Sequence, residues 1–121
     1  MKSLFYYSMR STKKAFKNER PDMYGFLEEN MNLLKVYMMQ RRGFPDYIMI
    51  GKNEIPNGFM ECKCIKGDIR KPKDIEPYEY LSRPQQINVD TFVEAGYNVY
   101  AAITFRGAWS IHIYRFVGEE E

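Results

Sequence analysis

The sequence lacks the features that define several large protein classes. It has no run of about 18 apolar residues, so no segment is predicted to span a membrane. Residues 1–20 are basic and aromatic, and they do not show the apolar core followed by small residues of a signal peptide. The phosphate-cradling G-x-x-x-x-G-K-[ST] motif and the G-x-S-x-G nucleophile motif are also missing. P-loop nucleotide binding and α/β-hydrolase chemistry therefore have no support.

Residues that bind zinc are equally scarce. The only cysteines are Cys62 and Cys64, and the only histidine is His112. A structural zinc site needs four ligands, and no C-x₂-C pair is present. Residues two apart on a strand also make a poor disulfide, which predicts free thiols and a reducing, cytoplasmic environment. We therefore expect Cys62 and Cys64 to be small core residues and His112 to be structural.

What is present is the composition of one globular domain. The 121 residues are 45% hydrophobic and 16% aromatic, which suits a single domain over 1–121 with a core at about 22–117. The net charge of +2 is unevenly distributed, since residues 1–20 hold six basic residues and one acid. A second basic run covers residues 63–73. Such blocks attract phosphate backbones, although an ordinary solvated surface explains them as well.

The hydrophobic pattern predicts the element order α-β-β-β-α-β-β, which implies an α/β sandwich around a mixed sheet. Asp22 is a candidate cap for the first helix, which runs to about Met31. The predicted strands cover 34–40, 46–50, 59–65, 98–105 and 109–116. Ser82 opens the clearest helix, with Pro84 in its first turn and Gly96 at its end. Residues 66–81 form a long loop between strand and helix, and such loops are often functional.

Two acidic residues lie on opposite arms of the predicted hairpin. Asp46 and Glu61 are fifteen residues apart, and a turn near Asn53 makes them approximate cross-strand neighbours. Like charges directly opposite each other are normally avoided in sheets. A divalent cation removes the repulsion, and hard oxygen ligands of this kind suit Mg²⁺ or Mn²⁺.

Lys63 belongs with this acidic pair. Because side chains alternate along a strand, Glu61 and Lys63 share one face, about 7 Å apart along the strand. A lysine there can position water and offset negative charge that develops on a phosphate. Many strands, however, carry an E-x-K pair on a solvated face, and P-D often starts a turn. The order of the three residues on two adjoining strands, next to a basic loop, makes the chemical interpretation more specific.

These residues resemble a known family. Gly43-Phe44-Pro45-Asp46, Glu61-Cys62-Lys63 and Leu81-Ser82-Arg83-Pro84-Gln85 before a helix look like the VRR-Nuc branch of the PD-(D/E)XK nucleases. That branch is similar in fold to restriction-endonuclease cores and to archaeal Holliday-junction resolvases. The resemblance covers about residues 34–104. It implies a restriction-endonuclease-like core and metal ligation by Asp46, Glu61 and the backbone carbonyl of Cys62. It also implies catalytic roles for Lys63 and Gln85.

Two assignments have alternatives. Ser82 and Gln85 also fit a capping box, which would only close the start of the helix, and this is compatible with a role beside the catalytic groups. Gln86 is a weaker candidate for the family position. Relatives carry a further acidic ligand on the first helix, for which Glu19, Glu28 and Glu29 compete, and Glu28 is favoured.

The sequence predicts a metal-dependent endonuclease acting on DNA, with Mg²⁺ or Mn²⁺ as the cofactor. The resemblance implies a branched substrate such as a Holliday junction, cut by a homodimer. Alternatives are a nicking or restriction-type nuclease with sequence preference, and a binding module without catalysis. Tyr78 and Tyr80 either stack on bases or hold the basic loop to the domain. The residues expected to contact the nucleic acid are Arg41, Arg42, Lys66, Arg70, Lys71, Lys73 and Arg83.

Overall fold

A computed structural model describes residues 1–10, 19–31, 33–35, 43, 45–50, 56–68 and 70–118. In these residues the chain forms six strands and two α-helices. In chain order they are β1 (Lys2–Arg10), α1 (Glu19–Asn30), β2 (Leu33–Lys35), β3 (Tyr47–Met49), β4 (Gly58–Ile65), α2 (Arg83–Glu94), β5 (Val99–Phe105) and β6 (Ser110–Val117). Two short 3₁₀ helices, Pro72–Asp74 and Pro77–Tyr80, lie between β4 and α2. None of the described helices is long and apolar enough to cross a membrane.

All six strands belong to one mixed sheet, in the order β1-β6-β5-β4-β3-β2. The pair β4–β5 is parallel and the other four pairs are antiparallel. Parallel neighbours need a crossover connection, and α2 supplies it. The mixed α/β architecture predicted from the hydrophobic pattern is thus confirmed.

The two faces of the sheet are covered by different helices. The face that carries Phe59, Glu61 and Lys63, here called the front face, packs against α2, where Phe92 stacks on Phe59 with ring centroids 4.6 Å apart. The back face carries Tyr47 and Met60, which are paired across β3 and β4 and fully buried. The hydroxyl of Tyr47 reaches α1, so that helix covers the back. The two helices therefore lie on opposite faces of the sheet, α2 on the front and α1 on the back.

The core consists of the apolar side chains between these layers. Strand β5 is buried along its whole length, since it lies in the centre of the sheet between β6 and β4. The fully buried side chains of Met23 and Leu27 explain why α1 stays on the back face. At roughly 25 cal/mol per Å² of apolar surface, burying each such side chain contributes about 1.5–3 kcal/mol.

Three predictions about local structure need correction or extension. The N-terminal basic segment is not merely a charged extension, because Lys2–Arg10 forms β1 and pairs with β6. Asp22 is not the cap of α1, since the helix begins at Glu19 and Asp22 lies inside it. The loop 66–81 is partly ordered by its two 3₁₀ helices. Of the strand predicted over 34–40, residues 36–40 lie outside the described part of the chain.

The other predicted elements are confirmed. The hairpin of β3 and β4, the helix after Ser82 and the two last strands all occur within about one residue of their predicted bounds. Ser82 is the N-cap of α2, and Gly96 has a φ of +91°, the left-handed conformation that ends a helix. α2 therefore runs back along the sheet from the C-terminal end of β4 towards its N-terminal end.

Candidate active site

The hairpin register brings Asp46 and Glu61 together. Tyr47 pairs with Met60, so the next position along each strand places Asp46 opposite Glu61. Asp46 immediately precedes β3, and its Oδ2 accepts a hydrogen bond of 2.9 Å from the backbone N–H of Cys62. The side chain thus satisfies a β4 amide at the point where the β3–β4 ladder ends. This contact fixes the Asp46 carboxylate against β4 on the predicted side of the hairpin.

Glu61 is the most unusual residue of the site. Only 1% of its surface is exposed, and neither carboxylate oxygen finds a hydrogen-bond partner among the described residues. Burial, and then the charge of Asp46, raise the pKa of Glu61 to about 9. The charge of Lys63 and the backbone N–H of Asp46, which lies outside hydrogen-bonding geometry, partly oppose the rise. Buried polar atoms without partners are rare, and each one calls for an explanation. A cation between the two carboxylates would provide one.

Lys63 lies on the same face, two residues further along β4. Its side chain is half-buried, and its positive charge opposes the rise in the pKa of Glu61. The alternation of side chains along β4 puts Cys62 on the back face, where burial raises the pKa of its thiol well above the ordinary range. The thiol therefore stays protonated and takes no part in the front-face cluster.

Gly43 joins this cluster to the first turn of α2. Its φ is +81°, and a Cβ placed on it would lie 2.5 Å from the carbonyl carbon of Pro84 and 2.7 Å from the backbone nitrogen of Gln85. Any side chain at this position would push the helix away. Gly43 stands three residues before Asp46, so the close approach holds the start of α2 beside the acidic pair. Gly43 belongs to the motif Gly43-Phe44-Pro45-Asp46, but no local sequence signal indicates its contact with Pro84.

Gln85 forms the predicted capping box. Ser82 N donates to Gln85 Oε1 at 2.9 Å, and Gln85 N donates to Ser82 Oγ at 3.4 Å. Gln86 turns away to the loop, where its Nε2 donates to the carbonyl of Tyr78 at 3.0 Å. The predicted capping box is thus present. The backbone nitrogen of Gln85 also lies close to Gly43, three residues before Asp46.

The basic residues expected at the surface are exposed where the structure describes them. They occupy the segment that leaves β4 and the first residue of α2: Lys66, Arg70, Lys71, Lys73 and Arg83. Arg41 and Arg42 lie outside the described residues. The segment crosses to β6, because the carbonyl of Pro72, between Lys71 and Lys73, accepts a hydrogen bond from the hydroxyl of Tyr114.

Tyr78 holds the basic loop against the domain. Its hydroxyl donates to both carboxylate oxygens of Asp90 at 3.0 Å, and its ring meets Phe116 edge-on at 6.3 Å. Burial and the Asp90 hydrogen bond raise the pKa of this hydroxyl. Of the two predicted roles for Tyr78, anchoring the loop is the one that the structure shows.

The acidic residue favoured on the first helix does not join the pair. Glu28 Oε1 accepts a 2.9 Å hydrogen bond from the hydroxyl of Tyr47, whose side chain points to the back face. Asp46 and Glu61 lie on the front. The side chain of Glu28 is therefore separated from Glu61 by the sheet, and Glu29 is exposed. The side chain of Glu19 lies outside the described part.

The oxygen atoms of Asp46, Glu61 and the Cys62 carbonyl are the candidate ligands for Mg²⁺ or Mn²⁺. Among the described residues no group of three or more His, Cys, Asp and Glu side chains could hold an ion. His112 is buried and its Nδ1 lies 2.6 Å from Ser8 Oγ, so it is structural, as predicted. Two carboxylates and the Cys62 carbonyl nonetheless fit Mg²⁺, which keeps several waters and binds through one or two carboxylates. The buried, unpartnered Glu61 is the observation that favours such an ion.

The chain was compared with protein-family models, with curated proteins and with solved structures, and none of them matches it. A functional assignment therefore depends on the geometry around Asp46, Glu61 and Lys63.

Proposed function

We propose that this chain is a metal-dependent endonuclease that hydrolyses DNA phosphodiester bonds, with a restriction-endonuclease-like core of the PD-(D/E)XK class. The observation that carries the proposal is the buried Glu61 carboxylate, which has no hydrogen-bond partner among the described residues and lies opposite Asp46. A structural acidic pair would be expected to show partners for both groups, since breaking or omitting a partner in a buried site costs several kcal/mol.

In the proposed site each group has one task. Asp46 and Glu61, together with the carbonyl of Cys62, bind Mg²⁺ or Mn²⁺. A bound ion would supply a lowered pKa for water and polarisation of the phosphate. Lys63 orients the attacking water and offsets the negative charge that develops on the phosphate oxygens. The hydrogen bond from Cys62 N keeps the Asp46 carboxylate in place, so little reorganisation is needed when substrate arrives.

The substrate is proposed to be branched DNA, such as a four-way junction, cut by a homodimer. The exposed cations of the segment between β4 and α2 support contact with phosphates. The two-fold symmetry of a homodimer would suit two symmetric cuts. Free Cys62 and Cys64 are compatible with action in a reducing, intracellular compartment, which is part of the proposal.

The test is a cleavage screen on four-way junctions, flaps, single strands and plain duplex, each with Mg²⁺, Mn²⁺ or Ca²⁺. We expect cutting with Mg²⁺ or Mn²⁺ and binding without rapid turnover with Ca²⁺. The Glu61→Gln protein should be inactive, and Glu94→Gln, which changes an exposed glutamate at the far end of α2, should cut normally. Cutting by Glu61→Gln at the normal rate would refute the assignment.

The same screen separates the alternatives. Preference for one sequence in plain duplex would indicate a nicking or restriction-type enzyme. Tight binding of junctions with no cutting under any divalent ion would indicate a binding module.

A further inference from the structure

The front face carries an exposed apolar surface beside the candidate active site. It consists of Ile48, Phe59 and Tyr97, with Phe92 beneath them, and is here called the apolar ledge. The Tyr97 ring meets Phe59 and Phe92 edge-on, with centroids 5.8 and 6.0 Å away. Tyr97 is 57% exposed and Ile48 is 39% exposed. Contiguous exposed apolar surface of this kind marks interaction sites more often than scattered single residues do.

The backbone holds Tyr97 in this exposed position. Gly96 takes its left-handed φ at the end of α2, and the N–H of Tyr97 then donates to the carbonyl of Phe92 at 3.0 Å. The ring is thus presented on a fixed loop and packs against the stacked pair of Phe59 and Phe92. A rigid aromatic side chain loses little conformational entropy when a ligand binds to it.

The position of the ledge is set by the same two strands as the acidic pair. Ile48 follows Asp46 by two residues and Phe59 precedes Glu61 by two, and Ile48 pairs with Phe59 across the hairpin. All four therefore face the front, and the ledge starts about 7 Å from the carboxylates along the strands. That separation suits a nucleobase whose own or neighbouring phosphate lies at the acidic pair.

We propose that the apolar ledge stacks the unpaired base of the nucleotide next to the scissile phosphate, so that the site prefers nucleic acid that is single-stranded or locally unpaired at the cut. This inference rests on the proposed nuclease function. Bases in intact duplex have both faces covered by their neighbours, whereas an unpaired base offers a face to an aromatic ring. The described exposed residues of the ledge, Ile48 and Tyr97, carry no charge, so this surface suits a base better than a phosphate.

A second copy of the chain is the rival occupant of the ledge. The exposed part is small and contains one prominent ring, whereas a stable protein interface buries about 800 Å² per partner. Its direct continuity with the acidic pair also favours a substrate group over another protein. The rival remains an explicit outcome of the experiment.

The experiment compares Tyr97→Ala, Tyr97→Leu and Tyr97→Phe with the unaltered chain. Leu4→Ala is the matched control, because Leu4 is similarly exposed but lies on β1, at the opposite edge of the sheet. Cleavage positions are first mapped on flap and single-stranded DNA with Mn²⁺. Binding is then measured with Ca²⁺ by anisotropy, with 2-aminopurine placed on either side of the mapped cut. Sedimentation of each protein reports its oligomeric state.

We expect Tyr97→Ala and Tyr97→Leu to weaken binding and cutting of flap and single-stranded DNA by about tenfold, as for loss of one stacked base. Tyr97→Phe and Leu4→Ala should behave like the unaltered chain, and quenching of 2-aminopurine should disappear only in the first two variants. Normal activity of Tyr97→Leu would overturn the proposal, because leucine restores packing without an aromatic face. Equal losses on duplex and flap DNA would also overturn it, as would a dimer that dissociates only in the Tyr97 variants.

The two proposals fail in different ways. If the unaltered chain cuts DNA but the Tyr97 variants match it on every substrate, only the stacking inference is wrong. If the unaltered chain cuts nothing, 2-aminopurine is placed at each unpaired position of the flap in turn. Quenching that depends on Tyr97 would then support base stacking and show that the nuclease proposal is wrong. If the unaltered chain neither binds nor cuts, both are wrong.

Discussion

The backbone amide of Cys62 donates a 2.9 Å hydrogen bond to the side chain of Asp46. Through this bond a residue outside β3 is held against the middle of β4, next to Glu61. The acidic pair therefore lies where the backbone pairing of β3 and β4 ends. There the Asp46 side chain, in place of a backbone carbonyl, accepts the hydrogen bond from the β4 amide. A local change at either strand end should alter the site without unfolding the sheet.

Metal ions should stabilise the unaltered chain and not Glu61→Gln. A ligand that binds only the folded state at a hundred times its dissociation constant adds about 2.7 kcal/mol, which is several degrees in Tm for a domain of this size. Thermal unfolding with and without Mn²⁺ measures the difference. In metal-free buffer at neutral pH, Glu61→Gln should unfold no earlier than the unaltered chain, since it places no carboxyl group in the buried site. An equal Mn²⁺ shift in both proteins would contradict the ligand assignment.

Lys63→Ala should separate catalysis from metal binding. Loss of a group that stabilises developing charge commonly reduces turnover about 10²-fold or more. The Mn²⁺-dependent rise in Tm should persist, because Asp46 and Glu61 are intact. Single-turnover cleavage, with Lys2→Ala as the exposed-lysine control on β1, gives the rate. A variant at this position that cuts at the normal rate would show that the lysine has no catalytic role.

Gln85→Glu and Gln85→Ala distinguish a cap from a catalytic contact. A glutamate at this position preserves the capping box, so α2 should keep its stability, whereas alanine should cost about 1 kcal/mol, as should Ser82→Ala. If the Gln85 amide contacts the reacting groups, Gln85→Glu should lower the cleavage rate while Tm is unchanged. Equal cleavage rates for Gln85→Glu and the unaltered chain would show that the Gln85 side chain caps α2 and has no catalytic role.

Gly43→Ala should both destabilise the fold and impair the site. The left-handed φ of Gly43 costs an alanine about 1–2 kcal/mol, and the approach of Pro84 adds a steric penalty. Gly67→Ala is the matched control, because Gly67 also has a positive φ but has open space around it. Chemical denaturation and cleavage should show a larger loss for Gly43→Ala in both measurements. Similar losses for the two variants would mean that the contact with α2 is unimportant.

His112 should make the fold less stable in mild acid. Burial lowers its pKa from 6.5, so between the lowered value and 6.5 the unfolded chain binds more protons than the folded one. The free energy of unfolding should therefore decrease as the pH falls below about 6.5, and stay unaffected by this group above it. Since the chain has one histidine, NMR titration of its ring gives the pKa without assignment. His112→Asn should flatten the acid side of the stability curve.

The sequence predicted the β3–β4 hairpin and α2 well because each has a strong local signal. Asn and Gly punctuate the turn before Gly58, and Ser82 with Gln85 defines a helix start whatever packs on it. The cross-strand position of Asp46 and Glu61 could be predicted from the hairpin alone, without any contact between residues distant in sequence. This part of the site was therefore accessible to local reasoning.

Features that depend on contacts distant in sequence were missed. β1 contains a register shift between Phe5 and Tyr7, which interrupts the alternation that would have identified it as a strand. The placement of Glu28 depends on which face of the sheet α1 covers, and the helix pattern does not encode that choice. Position 43 requires glycine because the backbone of Pro84, about forty positions away, lies too close for a Cβ atom. No local motif indicates this contact.

The pairing of β1 with β6 has a consequence for how the domain acquires its structure. Ser8 and His112, separated by 104 positions, are neighbours in the sheet, so among the described strands β1 pairs only with β6, which is synthesised much later. During synthesis, the aromatic side chains and the backbone edge of β1 would stay exposed until β6 has been made. Such exposure favours aggregation. Folding should therefore be slow for a domain of this size, because the pairing of β1 with β6 joins residues distant in sequence.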